Sequence, residues 1–343
     1  MLVLCLSGTP YLLAGQGETV QPLYGSEGIR PGAVRQGALG SCYFHSVVAA
    51  LAQSNPQELK KMIRENPDGT YAVQFADGRK ETAYPEDIQY SRQSGYDLSD
   101  GLWVAALFRA YAQGVLRESL VKAVERSDLF PLVKHYAEDF IQTNDPVVLA
   151  YDRAIRSQVD QLGNIDREKL EARLKEELKP IEVSEDIKDS LVKLLESGGF
   201  FDSMAATIKA NGEIFGAYRA VGQGGVAGRV MEAIGGSAEF VQNQSEGEAA
   251  SALSRAASAQ RPMVACTGGS RLYQQLAAHQ PLPPEVRAWY INAHCYTVLG
   301  FNSADRTVKL RNPWGQAPDP DGVFEIPLES FVPAFRGLVT TGP

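Results

Sequence analysis

Apolar and polar positions follow two different rhythms along this chain. Phe44, Val47, Val48 and Leu51 recur at helical spacing, with Ala49, Ala50 and Ala52 on the remaining faces, so a buried helix is expected to start near Cys42. Leu102, Trp103, Ala106, Leu107 and Ala110 predict a second buried helix between Asp100 and Gln113. Between the two, the β-rich runs Tyr71–Phe75 and Arg79–Tyr84 flank Ala76-Asp77-Gly78, a hairpin signal. From about Gly114 to Ile214 the strand pattern vanishes and charged residues become dense. Leu170, Leu174 and Leu178 line one helical face there. Ser184 can cap a further helix striped by Ile187, Leu191, Leu194 and Leu195 and ended by Gly198-Gly199. Glycine-rich turns return from Gly222 to Gly236 without the Gly-Lys-Ser/Thr of a phosphate loop. A helix near Gly247–Gln260 then leads into strands at Met263–Thr267, Cys295–Phe301, Thr307–Arg311, Gly322–Ile326 and Leu338–Thr341. The expected division is 1–113, an inserted helical subdomain 114–214, a return and hinge 215–236, and a β-rich part 237–343.

Composition narrows the function classes. The 343 residues are 44% hydrophobic and 22% charged, ordinary for a globular protein with a real core. The net charge of −8 offers no basic stripe to neutralise phosphates, so nucleic acid is not an expected partner. Residues 2–14 are apolar but too short to span a bilayer, and no Lys or Arg precedes them as an export signal requires. They fit an ordered strand equally well, and the compartment stays open. The four cysteines, Cys5, Cys42, Cys266 and Cys295, lie far apart with no CxxC spacing, so they are expected to be reduced.

Candidate chemistry centres on Cys42. In Gln36-Gly37-Ala38-Leu39-Gly40-Ser41-Cys42-Tyr43, the glycines permit close backbone approach just before the helix. A sulfur in the first turn meets unpaired N–H groups and the positive end of the dipole, which favour a thiolate. The alternative is a small buried cysteine at the head of a core helix, and this stretch alone leaves both open.

A nucleophilic sulfur needs a base, and the hairpin at residues 292–315 offers one. His294 begins the first strand, Asn302-Ser303-Ala304-Asp305 forms a turn, and Asn312-Pro313-Trp314-Gly315 ends the second strand. Paired positions in a hairpin sum to a constant. A turn centred on Ser303 puts His294 opposite Asn312 within one residue of register. The Asn oxygen would then accept from one ring nitrogen and leave the other facing the sulfur, with Trp314 excluding water. A zinc site from Cys42, His45, His294 and Cys295 is the rival, but adjacent strand residues point to opposite faces. His45, a turn along from Cys42, is expected to serve the core or to support the site. His135 and His279 read as surface or packing residues.

The stretch Gln36–Tyr43 closely resembles the active-site signature of calpain-type cysteine proteases. Ala293–Val298 and Leu310–Gly315 resemble that family's histidine and asparagine segments, in the same order. The resemblance implies an α+β fold: a papain-like two-lobed core, one lobe helical and one antiparallel β, interrupted here by the all-α insertion. It implies Cys42 as nucleophile, His294 as base and then acid, Asn312 as orienting residue and Trp314 as a shield. Gln36, with the Cys42 backbone N–H, would hold the oxyanion. The activity implied is endopeptidase hydrolysis through a thioester, with proteins or peptides as substrates.

Departures from the family pattern bear on calcium. Ala33 stands where a ligand Asp is expected and Arg219 where a ligand Glu is expected. That site should fail, and no cofactor is expected, although Asp319 and Asp321 keep oxygen ligands in the second half. The insertion is a candidate docking element for a regulatory partner. A papain-like transferase or deamidase acting on protein side chains, and a non-catalytic peptide-binding module, are the competing functions.

Overall fold

The computed structural model describes residues 21–125 and 216–342, apart from 243, 244 and 317–320, together with 172, 173, 175, 176 and 179. The apolar N-terminal stretch, Cys5, His135, Asp319 and nearly all of the expected helical insertion lie outside the described residues. No helix among them is long and apolar enough to cross a membrane.

The chain is a mixed α+β protein. Helix α1 (Cys42–Ser54) is followed by α2 (Pro56–Met62), strands β1 (Ile63–Glu65), β2 (Tyr71–Gln74) and β3 (Lys80–Ala83), then α3 (Pro85–Gln93) and α4 (Trp103–Glu125). After the segment outside the described residues come α5 (Gly216–Gly222), α6 (Ala227–Gly235), β4 (Glu239–Gln242), α7 (Glu246–Ser258) and β5 (Met263–Cys266). The last elements are α8 (Arg271–Ala277), α9 (Pro284–Arg287), β6 (Cys295–Asn302), β7 (Thr307–Arg311), β8 (Val323–Pro327), α10 (Leu328–Ala334) and β9 (Gly337–Thr340).

Two hydrophobic clusters organise these elements. The first gathers α1, α4, α6 and the antiparallel sheet β1-β2-β3. The second lies under the six-stranded antiparallel sheet β4-β9-β5-β6-β7-β8, with α7 and α10 packed on it. Helix α1 earns its place by composition: Phe44, Val47, Val48 and Ala49 are fully enclosed, and the alanines let neighbours approach on every side. The expected hairpin at residues 71–84 forms, with Gly78 in the left-handed conformation its turn requires. The charged run 57–66 also takes regular structure. It splits into α2 and the edge strand β1, because Leu59 and Ile63 reach the first core. Helix α4 runs unbroken past Gly114, where a boundary was expected, to Glu125.

One cross-brace joins the clusters. Ser46 Oγ on α1 donates to the Cys295 carbonyl at 2.8 Å, and Thr297 Oγ1 on β6 donates to the Ser46 carbonyl at 2.9 Å. A second tie is Gln36 N–H donating to the Pro313 carbonyl at 2.8 Å. Both fix the start of α1 against the β6–β7 hairpin.

The hairpin register differs from expectation. Asn302 pairs with Thr307 and Gly300 with Lys309, then an irregularity between Val298 and Gly300 shifts the ladder so that Thr297 faces Arg311. The turn therefore centres between Ala304 and Asp305. Arg306 takes a positive φ, and the Asn302 side chain accepts from Ala304 and Asp305 N–H, which lengthens the turn toward β7. Continued, this ladder puts Tyr296, not His294, across from Asn312.

The cysteines also differ. Cys266 and Cys295 face each other on β5 and β6 and form a disulfide, while Cys42 is a free, buried thiol. Wide separation in sequence gave no hint of this, because the pairing comes from strand adjacency in the sheet.

Candidate active site

A cleft of about 1250 Å³ opens between the two clusters, lined among others by Gln36, Cys42, Gly225, Phe240, His294 and Trp314. Cys42 is the first residue of α1. The tight approach before it is enforced by contact: a Cβ on Gly40 would lie 2.7 Å from the Gly222 carbonyl, which instead accepts the Gly40 N–H. Gly37 is held closer still, against the backbone of Gly95.

The expected thiolate bias at the helix start is outweighed. Burial pushes the Cys42 thiol above its ordinary value, and hydrogen bonds from the backbone N–H groups of Cys295, Tyr43 and Cys42 offset only part of that. Burial likewise pushes His294 down to about 4, against the opposing effect of its hydrogen bond to Asn312. Burial thus disfavours the charged form of both groups.

His294 and Asn312 meet diagonally, two positions off the ladder, yet at full hydrogen-bonding distance: Nε2 to Oδ1 is 3.0 Å. The same Oδ1 accepts the Trp314 backbone N–H at 3.2 Å. An atom that accepts from an amide is an oxygen, so the asparagine orientation follows, and with it the imidazole tautomer. Nε2 carries the proton and Nδ1 keeps the lone pair. The Trp314 ring lies 4.9 Å from the imidazole and is partly exposed. Gln36 is buried; its Nε2 donates to the Leu39 carbonyl at 2.6 Å and its Oε1 has no hydrogen-bond partner.

Sequence reasoning missed the loop clasp behind the histidine. Thr267 N–H donates to the His294 carbonyl at 2.8 Å, His294 N–H to Thr267 Oγ1 at 2.9 Å, and Thr267 Oγ1 to the Ile291 carbonyl at 2.7 Å. The disulfide lies immediately beside it. The only available signal was a cysteine at the end of one expected strand and another at the start of the next. Zinc at Cys295 is set aside, since its sulfur is committed to Cys266.

Residues 198–322 match the family model of calpain family cysteine proteases. This stretch is similar to a calpain-type protease core. The match takes in His294, Asn312 and Trp314, while Gln36 and Cys42 precede it in the chain. It points to cysteine peptidase activity. A comparison with curated proteins returns no match.

Ala33 is fully buried and offers no side-chain oxygen. The nearby carboxylate of Glu27 is already paired, one oxygen with Arg30 and the other with Arg35 at 2.8 Å. Two guanidiniums thus share this one carboxylate.

Proposed function

We propose that the chain is a cysteine endopeptidase in which Cys42 attacks the scissile carbonyl, His294 moves the proton and Asn312 holds the imidazole. The observation that carries this reading is a single cleft lined by Cys42 and His294, with the imidazole tautomer set by Asn312 behind it. His294 Nδ1, the lone-pair nitrogen, takes the thiol proton as sulfur bonds to carbon. Gln36 Nε2 and the Cys42 backbone N–H donate to the oxyanion. The protonated imidazole then gives its proton to the leaving amine, and a thioester remains. Water, deprotonated by the same nitrogen, hydrolyses it. Because burial disfavours both charged forms, the reading is general-base activation during attack rather than a stored ion pair.

In this reading the two hydrophobic clusters are the lobes of a papain-like core, and residues 114–214 are an insertion that docks a regulatory partner. The enzyme works without calcium, since the Arg30–Glu27–Arg35 cluster supplies locally the neutralisation an ion would provide.

Wild type and Cys42→Ser are to be compared on a generic peptide library, with calcium and with excess chelator. Wild type is expected to cleave in both conditions, and Cys42→Ser to lose at least about 10³-fold. Complete, reversible loss in chelator overturns calcium independence. Folded wild type that leaves peptides intact but deamidates or cross-links side chains, read by mass spectrometry, overturns the peptidase reading.

A further inference from the structure

His45 lies one turn along α1 from Cys42, fully buried against the rings of Phe44 and Phe108. Leucine would suit that setting at lower cost, because a buried imidazole must find partners. It finds two. Nδ1 lies 3.0 Å from the carbonyl oxygen of Ser41, the residue before the nucleophile. A carbonyl only accepts, so Nδ1 carries a proton. Nε2 lies 3.4 Å from Asp97 Oδ1, with no hydrogen bond formed between them.

Asp97 is itself fully buried and tied down. Ser99 Oγ donates to it at 2.6 Å and Arg92 Nη1 lies at 3.2 Å. Its backbone forms an isolated bridge with Gln36. Neighbouring bonds extend that contact: Gly37 N–H to the Tyr96 carbonyl at 3.2 Å and Leu98 N–H to the Arg35 carbonyl at 2.9 Å. One end of the His45–Asp97 pair thus grips the peptide that leads into Cys42, and the other grips the segment that carries Gln36.

We propose that His45 and Asp97 are positioning residues that set the spacing between the two oxyanion donors, the Gln36 side chain and the Cys42 backbone N–H. This rests on the peptidase reading above. With His45 replaced, Asp97 keeps its bonds to Ser99 and Arg92, so the loss should be felt in geometry more than in folding. A displacement of about 1 Å at such donors costs on the order of 100-fold in rate.

The test compares wild type with His45→Leu, His45→Asn and Asp97→Asn, reading Tm, kcat, KM and the rate of Cys42 alkylation by iodoacetamide. His45→Leu is expected to keep Tm within a few degrees and KM within about 3-fold, while kcat falls about 10- to 100-fold and alkylation slows. His45→Asn, whose amide nitrogen can occupy the Nδ1 position and donate to Ser41, should recover part of kcat. Asp97→Asn should lower kcat in the same sense and decides the matter if His45→Leu does not fold. Unchanged kcat and alkylation in His45→Leu overturn the proposal, as does a loss that simply tracks Tm and is not recovered by His45→Asn. Alkylation needs no substrate and reads whether the head of α1, with the Cys42 sulfur, has shifted, even if wild type cleaves no peptide.

Discussion

The walls of the cleft are built in opposite ways. On the Cys42 side, apolar packing does most of the positioning, with the His45–Asp97 pair its polar exception: α1 is enclosed along most of its length, and glycine contacts draw the preceding turn against the backbone of Gly95 and Gly222. On the His294 side, the histidine sits at the end of a strand after Ala293, whose φ is positive, and is held by polar bonds to Thr267 and Asn312 and by an adjacent disulfide. Packing tolerates small changes gradually, whereas a hydrogen-bonded and cross-linked loop depends on a few discrete ties. Those ties can be cut one at a time.

Cutting the covalent tie should have the largest effect. Cys266 and Cys295 are 29 apart in sequence, and closing a loop of that size restricts the unfolded chain by about 3.5 kcal/mol. Replacing both with alanine is expected to lower unfolding free energy by about that amount in urea titration. The Thr267 clasp remains in the variant, so kcat/KM at 25 °C should stay within about 3-fold of wild type. A ten-fold loss of activity would mean that the disulfide, rather than the clasp, positions His294.

The second effect reads the burial of His294. Its folded value of about 4 lies below the ordinary 6.5, so above pH 6.5 both folded and unfolded chains hold it neutral and stability is complete. As pH falls from 6.5 to 4 the unfolded chain takes up a proton that the native state does not, and stability is lost. Below pH 4 the loss levels off, at about 3 kcal/mol. Urea titrations at pH 7 and 4.5 should show this fall in wild type and a smaller one in His294→Gln. Equal falls would place the acid sensitivity elsewhere. The same burial should extend the acid limb of kcat/KM well below pH 6.5.

The contrast between the walls also accounts for what could be read from sequence. Helix α1, the 71–84 hairpin and the spans of β5 to β9 were legible because their apolar periodicity is local. Strand β4 was not, because its residues are largely exposed and do not alternate. The hairpin register was missed because Arg306 takes a conformation unusual for a non-glycine residue, so the turn centres past Ser303, between Ala304 and Asp305, and every pair moves. His294 and Asn312 could still be expected to meet, since a diagonal neighbour is within reach of an imidazole. Neither the Cys266–Cys295 link nor the His45–Asp97 pair leaves a local trace: each joins residues from separate elements, and only the assembled fold brings them together.

The smallest effect tests the brace between the walls. Ser46 and Thr297 exchange hydrogen bonds in both directions, each hydroxyl donating to a carbonyl on the opposite element. Losing one such bond, Ser46→Ala should cost about 1 kcal/mol of stability, and Thr297→Val about the same. Each should lower kcat by about 3-fold at most, because the Gln36–Pro313 tie still holds the far end of the hairpin. A double-mutant cycle then decides whether the brace is one device or two. If the bonds act independently the double variant loses about 2 kcal/mol, the sum of the singles. If either bond alone holds α1 against β6, the singles are nearly silent, and the double variant loses activity out of proportion to both. That result would make the polar brace, rather than the apolar enclosure of α1, the element that sets the distance from sulfur to imidazole.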